Sequence, residues 1–159
     1  MEKFQEALSL AAKKVQVADH LLNQTYPLIN DPKLLLGIME TMNDAVQLAI
    51  TGILEHDLLW KRITPYNASS KAITFCQKII PKYDLPKQYA DLVLDLQETI
   101  NEHKKASVEF IRRSQFVISD DTYTLRTLSV DKTKAYLTQV KQFVRDIQTL
   151  VEKNDRITR

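Results

Sequence analysis

The residues best suited to chemistry in this chain are its three histidines, because each one stands beside a carboxylate. These neighbours form the groups Asp19-His20, Glu55-His56-Asp57 and Glu102-His103. A di-iron or di-manganese helical bundle instead needs Glu and His three residues apart, so that both project from one helix face. The residues three positions before the histidines are all apolar: Val17, Ile53 and Ile100. Adjacent residues on a helix diverge by about 100°, so the sequence predicts no metal site.

Other catalytic signatures are also missing from the sequence. The single cysteine, Cys76, excludes a thiolate zinc cage and an internal disulfide, and it lies between Ile73 and Ile80 on an apolar stripe. The only glycines are Gly37 and Gly52, too few for a glycine-rich phosphate loop. We therefore predict no catalytic residue and no cofactor, and an enzyme of unrecognised type is the third alternative.

Two of the histidines nevertheless occupy unusual positions. His56 and His103 each continue an apolar seam near the C-terminal end of a predicted helix, whereas His20 lies on a polar face. If successive helices alternate in direction, both seams end on the same side of the bundle and the two histidines lie close together. The alternative is that each histidine binds a helix-terminal carbonyl, where the helix dipole favours positive charge.

The densest polar cluster runs from Glu102 to Gln115 and includes the basic residues Lys104, Lys105, Arg112 and Arg113. Adjacent arginines can bind phosphate bidentately, and an interleaved aromatic such as Phe110 can stack on a base. The same cluster could equally be a solvated helix end, with its arginines paired to Asp91 or Glu98. We therefore take His56, His103 and the four basic residues as a candidate ligand-binding site at one end of the bundle.

Composition and periodicity predict an all-α, up-and-down bundle of about five helices forming one domain over residues 1–159. Apolar residues recur at helical spacing over about 2–23, 32–63, 69–80, 86–105 and 130–154. Pro27 and Pro81 are expected to end the first and third helices, and Ser129 to cap the last. Between the last two helices, β-favouring residues 116–118 and 123–127 flank a polar turn and predict a small hairpin insertion over 114–128.

The second helix carries apolar residues nearly all round, which indicates either a central helix or an oligomer interface. Its small residues Ala45, Ala49 and Gly52 form a strip on which another helix can approach closely. The breadth of the apolar surface predicts self-association as a homodimer, the commonest closed assembly.

Charge and hydropathy restrict the partners and the compartment. The 22 basic and 20 acidic residues give a net charge of +2, too small to steer the whole protein to phosphate. The sequence has no apolar run of the about 20 residues that a membrane span needs, and its start lacks the apolar core of a signal peptide. We expect a cytoplasmic protein with no membrane partner.

The order and length of the helices resemble the HEPN group of small prokaryotic helical bundles, which are often dimers and occur in RNA cleavage and nucleotide-linked systems. The segment from Glu102 to Arg113 is also similar to a stretch of uncharacterised small archaeal proteins. Catalytic HEPN members carry an Arg followed four to six residues later by His. No histidine follows Arg62, Arg112 or Arg113 in this way, so the resemblance does not imply RNase activity here.

Two functions follow from the sequence. The first is a non-catalytic binding module for RNA, a nucleotide or a partner protein, acting through the end with His56, His103 and the basic cluster. The second is a structural homodimeric assembly protein without a ligand. The near-zero net charge favours the second function, and the basic, aromatic-interleaved cluster favours the first.

Overall fold

The computed structural model describes residues 2–158, and this part of the chain forms five helices and one three-stranded sheet. Helix α1 begins as Lys3–His20 and continues through a π-helical turn, Leu21–Thr25, into Tyr26–Ile29; α2 is Lys33–Leu59. Helix α3 comprises Lys71–Thr74, a second π-helical turn, Phe75–Ile79, and Ile80–Lys82; α4 is Gln88–Lys105 and α5 is Val130–Thr158. The prediction of a largely helical fold is confirmed, and the Ser129 hydroxyl caps α5 by accepting a bond from the Lys132 N–H.

The prediction that Pro27 and Pro81 end their helices is wrong. Each proline follows a π-helical turn after one intervening residue. The residue just before the proline donates its N–H to the carbonyl five residues earlier, Tyr26 to Leu21 and Ile80 to Phe75. Proline in a regular α-helix clashes with the carbonyl four residues earlier, and a wider turn accommodates the ring. Helix α1 therefore extends beyond Pro27 and ends at Asn30, which is left-handed with φ 54°.

Helix α2 is the central element of the fold. It packs on α1, α3, α4 and α5, and the residues Leu35, Ile38, Met42, Ala49 and Ile50 are completely buried. The prediction of a close helix approach at Gly52 is confirmed, because a Cβ there would lie 2.6 Å from Leu8 Cδ2 of α1. Most of the broad apolar surface of α2 is thus covered within the chain, although Leu59 keeps 50% of its surface exposed.

The simple up-and-down alternation does not hold. The short α3 both begins and ends beside the C-terminal part of α2. Lys71 at its start bonds to Thr51, and Lys82 at its end bonds to Asp57. Helix α4 therefore starts beside the C-terminal end of α2 and runs antiparallel to it. Helix α5 is antiparallel to α4, because Tyr89 bonds to Asp146 and Tyr136 bonds to Asp95. Helix α5 therefore runs parallel to α2.

The sheet between α4 and α5 has one strand more than the predicted hairpin. Its strands are β1 (Val108–Arg112), β2 (Gln115–Ser119) and β3 (Leu125–Leu128), joined as antiparallel neighbours in the order β1-β2-β3. Strands β2 and β3 correspond to the predicted pair, whereas β1 was not predicted. The register aligns Phe110 with Val117, and Val117 with Thr127.

The two faces of the sheet have different surroundings. Phe116, Ile118 and Leu128 point to the helices and belong to the hydrophobic core. The opposite face, called the outer face below, carries the alternate residues of each strand: Val108, Phe110, Arg112, Gln115, Val117, Ser119, Leu125 and Thr127. Among the described residues, no helix is long and apolar enough to cross a bilayer.

Candidate functional site

His56 and His103 lie at opposite ends of the bundle, so the expectation that they meet is wrong. His103 Nε2 is 3.9 Å from a carboxylate oxygen of Glu40, near the start of α2, whereas His56 is near the end of the same helix. About 16 residues of helix at 1.5 Å each separate Glu40 from His56, roughly 24 Å. The cause is the short α3, which reverses the direction expected for α4.

His103 is bound within the chain. Its Nδ1 lies 2.7 Å from Glu109 Oε2, and Glu109 points from β1 towards the helices. This contact attaches the end of α4 to the first strand. His103 is half-buried and faces away from the outer face, so it does not join a site there.

His56 is fully buried at the other end of the bundle. Its Nε2 lies 3.2 Å from Asp155 Oδ1 of α5, and its ring meets the Phe4 ring edge-on with centroids 4.8 Å apart. Its Nδ1 is 3.9 Å from Asp57 Oδ1 and has no hydrogen-bond partner among the described residues. His56 therefore joins α1, α2 and α5 and is not open to a ligand.

Asp57 is the centre of this buried network, although in the sequence it was notable only as a neighbour of His56. Its carboxylate is fully buried and accepts hydrogen bonds from Lys82 Nζ at 3.1 Å and from the Tyr83 hydroxyl at 2.7 Å, with Arg62 Nη1 3.9 Å away. Burial, with the bond to Asp57, raises the pKa of Tyr83 to about 12. Arg62 also bonds to Thr158 near the end of α5. The network is closed and holds helix ends together.

The basic cluster is divided by the sheet. Lys104 and Lys105 end α4 before β1, and Arg112 and Arg113 follow at the far end of β1, about 13 Å further along at 3.3 Å per residue. The lysine end also holds Asp121, which bonds to Ser107. The structure therefore separates the four predicted phosphate contacts into two groups.

The alternative that Arg112 and Arg113 pair with Asp91 or Glu98 is wrong, because Arg126 makes the arginine contact with α4 instead. Arg126 on β3 bonds to Glu102 and lies 3.6 Å from Glu98, both on α4. This contact raises the pKa of Arg126. Arg112 and Arg113 are exposed, and neither forms an ion pair with any described residue.

Arg112 and Arg113 border a depression of about 160 Å³ on the outer face. Its lining consists of Phe110, Arg112, Arg113, Gln115, Val117, Leu125 and Thr127. Val117 is buried at its floor, and Phe110 keeps 38% of its surface exposed. The outer-face positions of the strands include no carboxylate; Asp120 and Asp121 lie beyond the far ends of the strands.

The turn that presents Arg113 has an unusual conformation. Arg113 and Ser114 join β1 to β2 as a two-residue turn, and their φ values are 51° and 63°. Positive φ at both positions is the type I′ hairpin geometry, which normally selects Asn-Gly. The absence of that pair explains why the sequence did not reveal β1.

The described residues contain no group of three His, Cys, Asp or Glu side chains that could hold a metal ion. The chain matches no protein-family model, no curated protein and no solved structure. The resemblance to the HEPN group stays a prediction.

Proposed function

We propose that this chain is a non-catalytic module that binds single-stranded RNA on the outer face of its sheet. The observation that supports this most directly is that Arg112 and Arg113, beside the exposed ring of Phe110, form no ion pair with any described residue. Both charges remain available to a ligand because no described carboxylate neutralises them. A positively charged surface with an aromatic platform is the usual arrangement for binding a single strand.

The residues that line the depression have distinct roles in this binding. The Phe110 ring provides a surface on which one base can stack, and Val117 and Leu125 extend it as an apolar floor. The guanidinium groups of Arg112 and Arg113 bind the phosphates on either side of that base. Gln115 and Thr127 offer hydrogen-bonding groups to the base edge. A folded duplex would present its phosphates but not its base faces to this surface.

The candidate site is thus smaller than the sequence indicated. Arg112 and Arg113 remain in it, Phe110 and Gln115 join it, and Lys104 and Lys105 lie at its far margin. His56 and His103 do not take part, since one is buried and the other is bound to Glu109. Self-association through α2 stays a prediction, and α1, α3, α4 and α5 cover most of that helix. A cytoplasmic location suits RNA binding and stays a prediction.

The test measures how the affinity for a short unstructured RNA changes with salt. Two phosphate contacts on a single strand give a log–log slope of about −1.4, from roughly −0.7 per contact. Arg112→Ala/Arg113→Ala should bring that slope close to zero. Phe110→Ala should weaken binding roughly 5- to 150-fold, from about 1–3 kcal/mol per stacked base, and leave the slope unchanged. Fluorescence anisotropy of a labelled RNA measures both effects.

The matched control is Arg145→Ala/Arg156→Ala, which removes two exposed arginines from α5 and gives the same net charge. We expect this control to keep both the affinity and the slope. Equal losses in the two double variants would show only a general charge effect. Undetectable RNA binding by the unaltered protein, or an unchanged affinity in Phe110→Ala, would contradict the proposal.

A further inference from the structure

The free edge of β1 is exposed and largely apolar. All five residues of the strand are exposed, including Val108 at 56%, Phe110 at 38% and Ile111 at 55%. Proteins usually protect such an edge with proline, charged side chains, a bulge or a covering element. Strand β1 contains neither proline nor lysine, and it pairs with β2 in unbroken register from Val108 to Arg112. Its two charged residues are Glu109, whose carboxylate is bound to His103, and Arg112, which lies next to the turn. An exposed apolar edge of this kind favours pairing with another strand.

The turn geometry shows which backbone groups are unpaired. In a two-residue hairpin, the residues that flank the turn, Arg112 and Gln115, exchange both backbone hydrogen bonds. Such pairs alternate along an antiparallel ladder, so Phe110 and Val108 also bond to β2. Glu109 and Ile111 therefore direct their N–H and C=O groups away from the sheet, towards the free edge.

We infer that two copies of this chain pair antiparallel through β1, with Phe110 on the twofold axis, to form one continuous sheet. In this register Glu109 of each copy lies opposite Ile111 of the other, and the two exchange both backbone hydrogen bonds. Phe110 lies opposite Phe110, and Val108 opposite Arg112. Each side chain stays on its own face of the sheet, because residues directly opposite in a ladder share a face.

Charge and turn geometry select this register over its neighbours. A shift of two residues towards the strand start places Glu109 opposite Glu109, and like charges directly opposite are unfavourable. A shift in the other direction pairs Glu109 with Arg113, which is left-handed in the turn and cannot continue a ladder. The Phe110 register avoids both problems, and it uses the whole strand.

Pairing of one short strand is a small interface, and a weak, concentration-dependent dimer is expected. The partner copy would also extend the outer face, since the Phe110 rings of both copies lie together on it with the arginines of both turns. The interface itself does not depend on RNA. Dimerisation is therefore measured without nucleic acid, so that a failure of the dimer proposal can be distinguished from a failure of the RNA-binding proposal.

Position 111 provides a matched pair of charge variants. Because Ile111 faces Glu109 of the other copy, Ile111→Glu places like charges opposite each other, and Ile111→Lys places opposite charges there. By sedimentation equilibrium, we expect Ile111→Glu to remain at the monomer mass of 18.4 kDa at concentrations where the unaltered chain dimerises. Ile111→Lys should dimerise more tightly, by roughly 1.4- to 5-fold per charge pair, from about 0.2–1 kcal/mol each. Equal melting temperatures of the two variants would exclude misfolding as the cause.

Cysteine cross-linking tests the register directly in a Cys76→Ser background. Phe110→Cys should form an intermolecular disulfide, since the Cα atoms of a directly opposite, non-hydrogen-bonded pair are about 4.5 Å apart. Arg112→Cys should not, because its symmetry mate would lie about 13 Å away at 3.3 Å per residue. Equal cross-linking of both variants, an unaltered chain that stays monomeric, or loss of the dimer in Ile111→Lys would overturn the inference.

Discussion

Asp57 is a buried charge whose neighbours come from three parts of the chain. Its carboxylate is fully buried, whereas the cations Lys82 and Arg62 are partly exposed. Asp57→Asn removes the charge that accepts two hydrogen bonds, and since a hydrogen bond to a charged group contributes about 1.5–3 kcal/mol, the total cost is about 3 kcal/mol. We therefore expect Asp57→Asn to lower the free energy of unfolding by about that amount and the melting temperature by roughly 10 °C. Urea denaturation at neutral pH measures the change.

The matched control for Asp57→Asn is Asp44→Asn on the same helix. Asp44 lies 3.5 Å from Lys14, and both side chains are about half exposed. Exposed pairs contribute about 0–1 kcal/mol, so this variant should have a stability close to that of the unaltered chain. If the two variants unfold at the same urea concentration, the Asp57 network does not stabilise the fold.

At the scale of single elements, the β1–β2 turn combines exposure of Arg113 with backbone strain. Ser114 holds φ at 63°, a conformation that glycine adopts without a steric penalty. Ser114→Gly should therefore stabilise the protein by up to about 1 kcal/mol and leave RNA binding unchanged, since both arginines remain. The same substitution inside α1, Ser9→Gly, should destabilise it by about 0.5 kcal/mol. Opposite signs in thermal unfolding would confirm the turn conformation; equal signs would contradict it.

The elements differ in how far the sequence could predict them. The longer helices follow from apolar spacing, and α4 ends at Lys105, as predicted. The length of α1 could not be predicted, because a proline in sequence does not show whether a π-helical turn precedes it. Strand β1 was missed because it follows α4 closely and its turn is Arg-Ser.

The candidate site was only partly predictable for the same reasons. Arg112 and Arg113 were identified by type and spacing. Their distance from Lys104 and Lys105 could not be predicted, because it depends on β1. The network around Asp57 joins residues up to about a hundred positions apart, such as His56 and Asp155. No local pattern marks such contacts. The contact of Arg126 with Glu98 and Glu102 likewise depends on how β3 lies on α4.

In the whole molecule, the central helix α2 separates two chemically different ends. The end with His56 and Asp57 is closed, since its charged groups bind one another and hold α1, α3 and α5 in place. The end with the sheet is open, since its arginines and the edge of β1 are exposed. The charged groups that hold the helices together are therefore separate from those that are exposed on the sheet.

Alanine substitutions at the two glycines of α2 test how tightly the bundle packs around this central helix. A methyl group at Gly37 would have no atom within 4 Å, whereas one at Gly52 would lie 2.6 Å from Leu8 Cδ2 and 2.7 Å from Leu8 Cγ. Alanine favours a helix over glycine by about 1 kcal/mol, so Gly37→Ala should stabilise the protein by that amount. Gly52→Ala should destabilise it by about 1–2 kcal/mol, because overpacking outweighs the gain in helix propensity.

A double-mutant cycle identifies Leu8 as the cause of the Gly52 effect. Leu8→Ala alone removes a buried side chain and should cost about 2–3 kcal/mol. In that background the contact no longer exists, so Gly52→Ala should become stabilising, as Gly37→Ala is in the unaltered chain. Urea denaturation of the four proteins in the cycle gives the coupling energy between the two positions. A destabilising Gly52→Ala in both backgrounds would place the close approach elsewhere than at the α1–α2 contact.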